Sequence, residues 1–359
     1  MRIALLGAGH IGGTIARLLA ESDDYQLTVV DCSKQALLTV AGLPLVGVVA
    51  DLSDRPTLAA LLQPADLVIN ALPFHLAAYV ADIAKQTRTH YFDLTEDVRA
   101  TREIAALAHM AETAFMPQCG LAPGFVSIAA NQLAASFEQV QDIKMRVGAL
   151  PEFPCNALKY NLTWSIDGLI NEYCHPCEAL QDGHKVTLAP MEGLEYFSVD
   201  GVEYEAFNTS GGLGTLCETL ASSIQNLDYK SIRYPGHQLR MKFLLDELGL
   251  KHDPALLKSI LRKSIPTTMQ DVVLVFISVT GMRAGKFVQE VFSRKIFSRH
   301  EHGRYESAIE RTTAAGMCTA VDLFAAGKLP QSGFIRQEQI GLADFLNNRF
   351  GQVFARSQI

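Results

Sequence analysis

Ile3-Ala4-Leu5-Leu6-Gly7-Ala8-Gly9-His10-Ile11-Gly12 is an apolar run that breaks into spaced glycines and then opens a helical pattern at Ile15, Leu18 and Leu19. The order is strand, glycine-rich turn, helix. Gly7 permits the tight turn, Gly9 lets the backbone approach a pyrophosphate, and Gly12 lets the helix lie close to the strand. The helix N-terminus offers free N–H groups and a partial positive charge to phosphates, which places His10 and Ile11 in the same loop. A second strand-like run, Leu27-Thr28-Val29-Val30, ends in Asp31. A carboxylate there can accept both ribose hydroxyls of an adenosine. Together these pieces predict a dinucleotide-binding domain.

Working outward, strand-like runs continue at Leu45–Val49, Leu67–Ala71, Thr89–Leu94 and Ala114–Pro117, with helical periodicity between them. Six such strands predict an α/β fold built on a doubly wound parallel (Rossmann) sheet, with ligands at the carboxyl ends of the strands. Asp51 follows the third strand and is placed beside an adenine. Asn70-Ala71-Leu72 ends the fourth strand and Asp93-Leu94-Thr95 the fifth, where the nicotinamide is expected.

After Gly120-Leu121-Ala122-Pro123-Gly124 the character changes. A helix over Ser127–Phe137 is followed by strand-like segments at Ile143–Gly148, Asn161–Trp164, Lys185–Leu188, Glu195–Val199, Val202–Phe207, Tyr229–Tyr234 and Val272–Thr280. Asp200-Gly201 reads as a hairpin turn. These predict an α+β second domain. Helical periodicity returns over Ile309–Ala326 and Gly333–Phe350. The expected division is 1–122 for the nucleotide, 123–308 for substrate and dimerisation, and 309–359 as helices returning to the nucleotide domain.

A chain of 359 residues with 48% hydrophobic and 19% charged residues is long enough for two packed domains. Its net charge of −7 argues against nucleic acid and anionic membranes as partners. The basic stretch Arg294–Arg304 reads as a solvated helix end, with His300 and His302 facing solvent. No run of eighteen apolar residues predicts a transmembrane helix, and Met1-Arg2 with its apolar sequel lacks a signal cleavage site. Seven scattered cysteines fit reduced thiols in a cytoplasm. Cys174-His175-Pro176-Cys177 has no second pair at metal spacing, so no metal is expected.

A series of motifs then carries a resemblance: Gly120-Leu121-Ala122-Pro123-Gly124, Gly148-Ala149-Leu150-Pro151, Tyr160-Asn161 with Trp164-Ser165, Gly168-Leu169-Ile170-Asn171-Glu172-Tyr173, Asn208-Thr209-Ser210-Gly211-Gly212, and Arg233-Tyr234-Pro235-Gly236-His237. In this order they resemble the saccharopine dehydrogenase family, and within it the lysine 6-dehydrogenase-like members. The resemblance implies an inserted domain whose sheet supports substrate binding and dimerisation. It also implies NAD(P)-linked oxidation of an amine carbon to an imine, which water hydrolyses. Saccharopine-forming members carry an Asp-His pair where this chain has Val126-Ser127, and a Cys where it has Val147. Those replacements shift the expectation toward a small free amine.

Hydride transfer needs a deprotonated amine, so a general base is required. His237, in a Pro-Gly-His turn, and His75, after the nicotinamide-side strand, are the candidates. Arg233 offers a planar fork for a carboxylate. Thr209, Ser210, Gly211 and Gly212 could present hydroxyls and N–H groups to the same end of the substrate. Tyr160 and Trp164, on an expected strand, could line the pocket. The leading expectation is a homodimeric, cytoplasmic amino-acid dehydrogenase oxidising the terminal amine of L-lysine or an analogue to a semialdehyde. Asp31 favours NAD over NADP as cofactor. The alternatives are a saccharopine or carboxynorspermidine dehydrogenase acting on a secondary amine, and a non-catalytic nucleotide-sensing protein.

Overall fold

Short apolar runs that end in glycine or an acid leave little room for anything but buried parallel strands, and the computed structural model bears this out. It describes residues 1–301 and 303–355, so His302 and residues 356–359 lie outside the described residues. Strands β1 (Arg2–Leu6), β2 (Gln26–Asp31), β3 (Val46–Val49), β4 (Leu67–Asn70), β5 (His90–Asp93) and β6 (Ala114–Met116) form one parallel sheet in the order β6-β5-β4-β1-β2-β3. Ile3 to Leu6 are fully buried, as a central strand covered on both faces requires. The order reverses between β1 and β4, which opens the ligand crevice at their carboxyl ends. Leu6, Val30, Val68, Val80, Ile83, Tyr91, Ile104 and Phe115 fill the core between this sheet and its helices.

A seventh strand, Gly333–Phe334, comes from the far end of the chain and pairs with β6. Two residues are too few to leave a periodic signal. The expected helical run Gly333–Phe350 is broken: only Leu342–Asn347 is α-helical, between short 3-10 turns at Gln337–Gln339 and Gly351–Phe354. Gly333 at φ +77° and Gly341 as helix cap interrupt the periodicity. Phe125 stacks on Phe354, with ring centroids 3.9 Å apart, and packs against Phe345, which ties this end of the chain into place.

The described chain divides into two compact units. One is Met1–Ile128 with Glu310–Ala355; the other contains Ala129–Ile309. The second unit holds β7 (Gln139–Pro151), β8 (Cys177–Gln181), β9 (His184–Leu188), β10 (Glu195–Val199), β11 (Val202–Asn208), β12 (Ile224–Arg233), β13 (Asp271–Arg283) and β14 (Lys286–Phe297). Its mixed sheet runs β10-β11-β12-β7-β13-β14, with β8 and β9 attached to β12. Among the described residues of this sheet, only the β7–β12 pairing is parallel. Asp200 (φ 51°) and Gly201 (φ 77°) make the two-residue hairpin turn read from the sequence.

Two further segments differ from expectation. Asn161–Trp164 is not a strand but a loop, with one isolated bridge between Leu162 and Thr267. Its apolar alternation is core filling: Tyr160 is buried while the Asn156 amide donates to the Tyr160 carbonyl at 2.7 Å. The basic stretch from Arg294 is no helix end either. It is the end of β14, paired residue by residue with β13, followed by a hairpin in which His300 packs against Tyr305.

Candidate active site

Each glycine of the first turn meets a different constraint. Gly7 has φ +97°, and a Cβ there would lie 2.9 Å from the Ala71 carbonyl oxygen. A Cβ on Gly12 would lie 2.0 Å from the Gly7 carbonyl oxygen. A Cβ on Gly9 would meet nothing within 4 Å, so that glycine keeps a space open at the helix end. Helix His10–Ala20 starts there with no side-chain cap, leaving its first N–H groups for an anion. Ile11 is half-buried on that first turn. These residues fit the pyrophosphate of a dinucleotide.

Two acids brace the loop. Asp31, at the end of β2, accepts from the Ala8 N–H at 2.8 Å and the Ser33 N–H at 2.7 Å. The exposed His10 ring bonds through Nδ1 to the buried Glu310 carboxylate at 2.9 Å. That bond and the Glu310 charge hold His10 above its ordinary pKa against the opposing effect of burial. Asp51 stands exposed in a turn and accepts from the Ser53 N–H and hydroxyl.

The ends of β4 and β5 are stitched together. Asn70 donates to the Tyr91 hydroxyl at 3.1 Å and accepts from the Leu72 N–H, while the Ala71 N–H reaches the Leu6 carbonyl. The Tyr91 hydroxyl donates to Asp93 at 2.7 Å, and Asp93 accepts from the N–H groups of Thr95 and Gln118. Burial raises Asp93 to about 6 despite those bonds. Leu94 is half-buried beside them. His75 sits exposed in the 3-10 turn Phe74–Leu76.

In the second unit the sequence motifs converge on one buried socket. Arg233, the last residue of β12, donates from Nε to the Tyr173 hydroxyl at 2.8 Å and from Nη1 to the Ile232 carbonyl. Its guanidinium lies 5.1 Å from the Tyr160 ring centre and 5.6 Å from that of Tyr173. Half-buried Trp164 donates to the Tyr160 hydroxyl at 3.2 Å. The turn after Arg233 is fixed by Glu205, a buried acid that no motif in the sequence marks. Its carboxylate accepts from the N–H groups of Gly236 and Gln238, each at 2.6 Å.

His237 is not a loop base, which corrects the expectation from sequence. It opens helix His237–Lys242, is buried, and has both ring nitrogens engaged. Nδ1 faces the Leu158 carbonyl at 2.9 Å, an acceptor only, so Nδ1 carries the proton. Nε2 therefore accepts from the Tyr173 hydroxyl at 3.1 Å. Burial and the neighbouring Arg233 charge lower His237 to about 3, so the imidazole is neutral at ordinary pH. The Tyr173 hydroxyl therefore links the two, donating to His237 and accepting from Arg233.

The hydroxyls of the Thr209–Gly212 segment have partners within the same unit. Thr209 bonds Ser231 at 2.8 Å, and Ser210 donates to the Pro176 carbonyl. Gly211 supplies φ +88°, and a Cβ on Gly212 would meet the Tyr229 ring at 2.3 Å. Cys174 ends helix Ile166–Cys174 and Cys177 opens β8, where burial pushes its thiol up to about 12.

A doubly wound sheet with this glycine loop and an acid closing β2 defines a dinucleotide-binding protein. Comparison with known families makes the assignment narrower. The family description "Saccharopine dehydrogenase NADP binding domain" matches residues 3–117, and "Saccharopine dehydrogenase C-terminal domain" matches residues 120–352. The chain belongs to the saccharopine dehydrogenase family, whose chemistry is oxidoreduction at CH–NH and CH–NH2 donors. It is 22% identical over 265 residues to the mitochondrial alpha-aminoadipic semialdehyde synthase of Mus musculus, covering 69% of this chain. The Rattus norvegicus protein of the same name is 22% identical over 268 residues. The matched region spans 28% of those relatives' length. Among solved structures, the apo saccharopine dehydrogenase (L-Glu forming) of Saccharomyces cerevisiae superposes with a TM-score of 0.79 at 17% identity, covering 98% of both chains. A Legionella pneumophila homospermidine synthase bound to NAD gives 0.72 at 14% identity, covering 98% of this chain and 89% of its own. At these identities the superpositions speak for the fold.

Proposed function

We propose that the protein is an NAD-dependent dehydrogenase that oxidises the terminal amine of L-lysine or a close analogue. The observation that carries this reading is Arg233. The Nη2 end of its guanidinium has no bond to any described residue, while Tyr173 and Ile232 hold the rest in one orientation. A planar donor fixed this way suits the α-carboxylate of an amino acid. Val126 and Val147 are buried and apolar at the positions where saccharopine-forming members carry polar groups, which favours a free amine over a secondary one.

Bound NAD supplies a hydride acceptor. The substrate ammonium first gives up a proton, so that the lone pair can push hydride off the neighbouring carbon. A protonated imine remains. Water adds to it, losing a proton, and ammonia leaves an aldehyde. Asp31 supports NAD over NADP, since a 2′-phosphate would meet its carboxylate. At roughly 1–4 kcal/mol for close charges, a preference of ten-fold or more is expected. Exposed Tyr196, Phe287 and Val291 on the second unit's strands support self-association as a homodimer, and the unpaired cysteines support a reducing, cytoplasmic setting.

The test is purified protein with NAD or NADP and a panel of lysine, cadaverine and N-carboxyalkyl-lysines, followed at the NADH absorbance band. Lysine with NAD should turn over fastest. Turnover only with the N-substituted amines would replace this reading with secondary-amine chemistry. NAD binding without turnover of any amine would leave a nucleotide sensor.

A further inference from the structure

With His237 neutral and enclosed, and His75 exposed in the turn after β4, the loop after β5 offers a further proton acceptor, a single residue beyond the Asp93–Thr95 strand end. Its neighbours are all engaged in holding the loop. Asp93 accepts from the Thr95 and Gln118 N–H groups, the Thr95 hydroxyl accepts from the Asp97 N–H, and Asp97 caps helix Val98–Ala108 through the Ala100 N–H. Between them stands Glu96, half-buried in the loop that follows the carboxyl end of β5. Among the described residues, no side chain bonds to or pairs with its carboxyl. A half-buried carboxyl that no neighbouring side chain engages is open to a ligand or a water.

We propose that Glu96 is the general base of this enzyme, standing at the nicotinamide end of the cofactor site. The inference rests on the amine-oxidation reading. The Glu96 carboxylate takes the N–H proton from the substrate ammonium, so that the nitrogen lone pair can expel hydride from carbon to the nicotinamide. After returning that proton to solvent, it takes one from the water that adds to the imine. The surroundings give Glu96 the acid–base character this role needs. Burial, reinforced by the charges of Asp97 and Asp93, pushes it up to about 7. A carboxyl of that strength is about half ionised at pH 7, so the basic form is populated and is matched to accepting a proton from an ammonium or a water. Asp93 faces the same loop but is bonded to Tyr91 and two backbone N–H groups, which leaves it a bracing role.

The experiment uses the full chain with Glu96→Gln and Glu96→Asp, each checked for a native melting transition. In the wild type, kcat/KM for lysine oxidation should rise with pH through a pKa near 7. Glu96→Gln should lose that limb and about 10²- to 10⁴-fold in rate. Glu96→Asp, with a shorter but titratable arm, should keep the limb at a reduced rate. A second arm needs no turnover. NAD+ carries a ring charge that NADH lacks, so ionised Glu96 should favour NAD+ by roughly three- to ten-fold more at pH 8 than at pH 6. Fluorescence titration of both cofactor forms should show this in the wild type and not in Glu96→Gln. A Gln variant within threefold of wild-type kcat/KM and with the same pH profile overturns the proposal. An unchanged pH dependence of the NAD+/NADH preference overturns it as well. If no amine is oxidised by the wild type, the substrate reading falls while the binding arm still decides where Glu96 stands.

Discussion

Gly9, His10 and Glu96 of the nucleotide unit are exposed or half-exposed at helix and strand ends, while Arg233, Tyr173 and His237 of the second unit are buried and bonded to one another. The first arrangement binds with backbone and loop groups that need only the right local turn. The second works through side chains whose orientation depends on partners 60 or more residues away. The contrast extends to pH. Burial raises Asp93 and Glu96 in the nucleotide unit and lowers His237 in the second. As pH falls from 7, the folded nucleotide unit takes up protons that its unfolded chain would not yet bind. The second unit loses stability, because only its unfolded chain can protonate the histidine.

The largest test of that contrast is acid denaturation. His237 has its ordinary pKa of 6.5 when unfolded and about 3 when folded, so its contribution is intact above pH 6.5 and lost as pH falls toward 3. The loss is roughly 3–5 kcal/mol. His237→Asn keeps a donor for Leu158 and an acceptor for Tyr173 but does not titrate. Chemical denaturation from pH 7 to 4, read by hydrogen exchange in β12, should show a flatter profile in the variant. An equally steep profile would mean that His237 is not the acid-sensitive group.

Arg233 gives the next largest effect. A charge-assisted contact contributes roughly 1.5–3 kcal/mol, so Arg233→Ala should weaken lysine binding about ten- to a hundred-fold. Oxidation of cadaverine, which has no carboxylate, should suffer much less. Lysine at this position should recover only part of the loss, because a point charge cannot keep both the Tyr173 bond and the substrate contact. Equal losses on both substrates, with folding intact, would remove Arg233 as the carboxylate anchor.

Smaller effects separate two glycines three residues apart. Gly12→Ala forces a methyl against the Gly7 carbonyl and should cost about 1–3 kcal/mol of stability in thermal melts. Gly9→Ala meets no neighbour, so stability should hold within about 0.5 kcal/mol. NAD affinity by calorimetry should nevertheless fall about ten-fold, as the added methyl enters the space left for the pyrophosphate. If both variants only destabilise, the space above Gly9 is not the phosphate seat. The smallest effect belongs to Glu310→Gln, which removes the carboxylate charge beside His10 and leaves only a neutral, weaker acceptor for its Nδ1–H. The His10 ring resonances should then titrate at lower pH, and a titration unchanged from the wild type would break the link.

The nucleotide unit was legible because its signals are local. The β1–glycine–helix turn and the acid ending β2 lie within about thirty residues, and each buried strand is an apolar run closed by a polar end. The second unit was legible in strand and turn chemistry, as at Asp200-Gly201, but not in side-chain roles. Arg233 and His237 were found through their motif. What His237 does depends on Leu158 and Tyr173, which no spacing around residue 237 reveals. The alternating aromatics at 160–164 imitate a strand because a loop that fills a core obeys the same apolar alternation. Glu96 left a readable signal: an acid placed between Thr95 and a helix-capping Asp97, where a second cap is unnecessary.

The pairing of Gly333–Phe334 with β6 has a consequence for how the protein is made. About 220 residues of chain separate the two partners. At about 5–20 residues per second, a ribosome needs roughly 10–40 s to bridge that interval. Throughout it, one side of β6 exposes unpaired backbone groups, and the ring of Phe125 waits for Phe345 and Phe354. The second unit is synthesised whole inside this window. The half of the protein that leaves the ribosome first is therefore the half that finishes last, and a translational pause before Gly333 lengthens the time during which that edge can be captured by another chain.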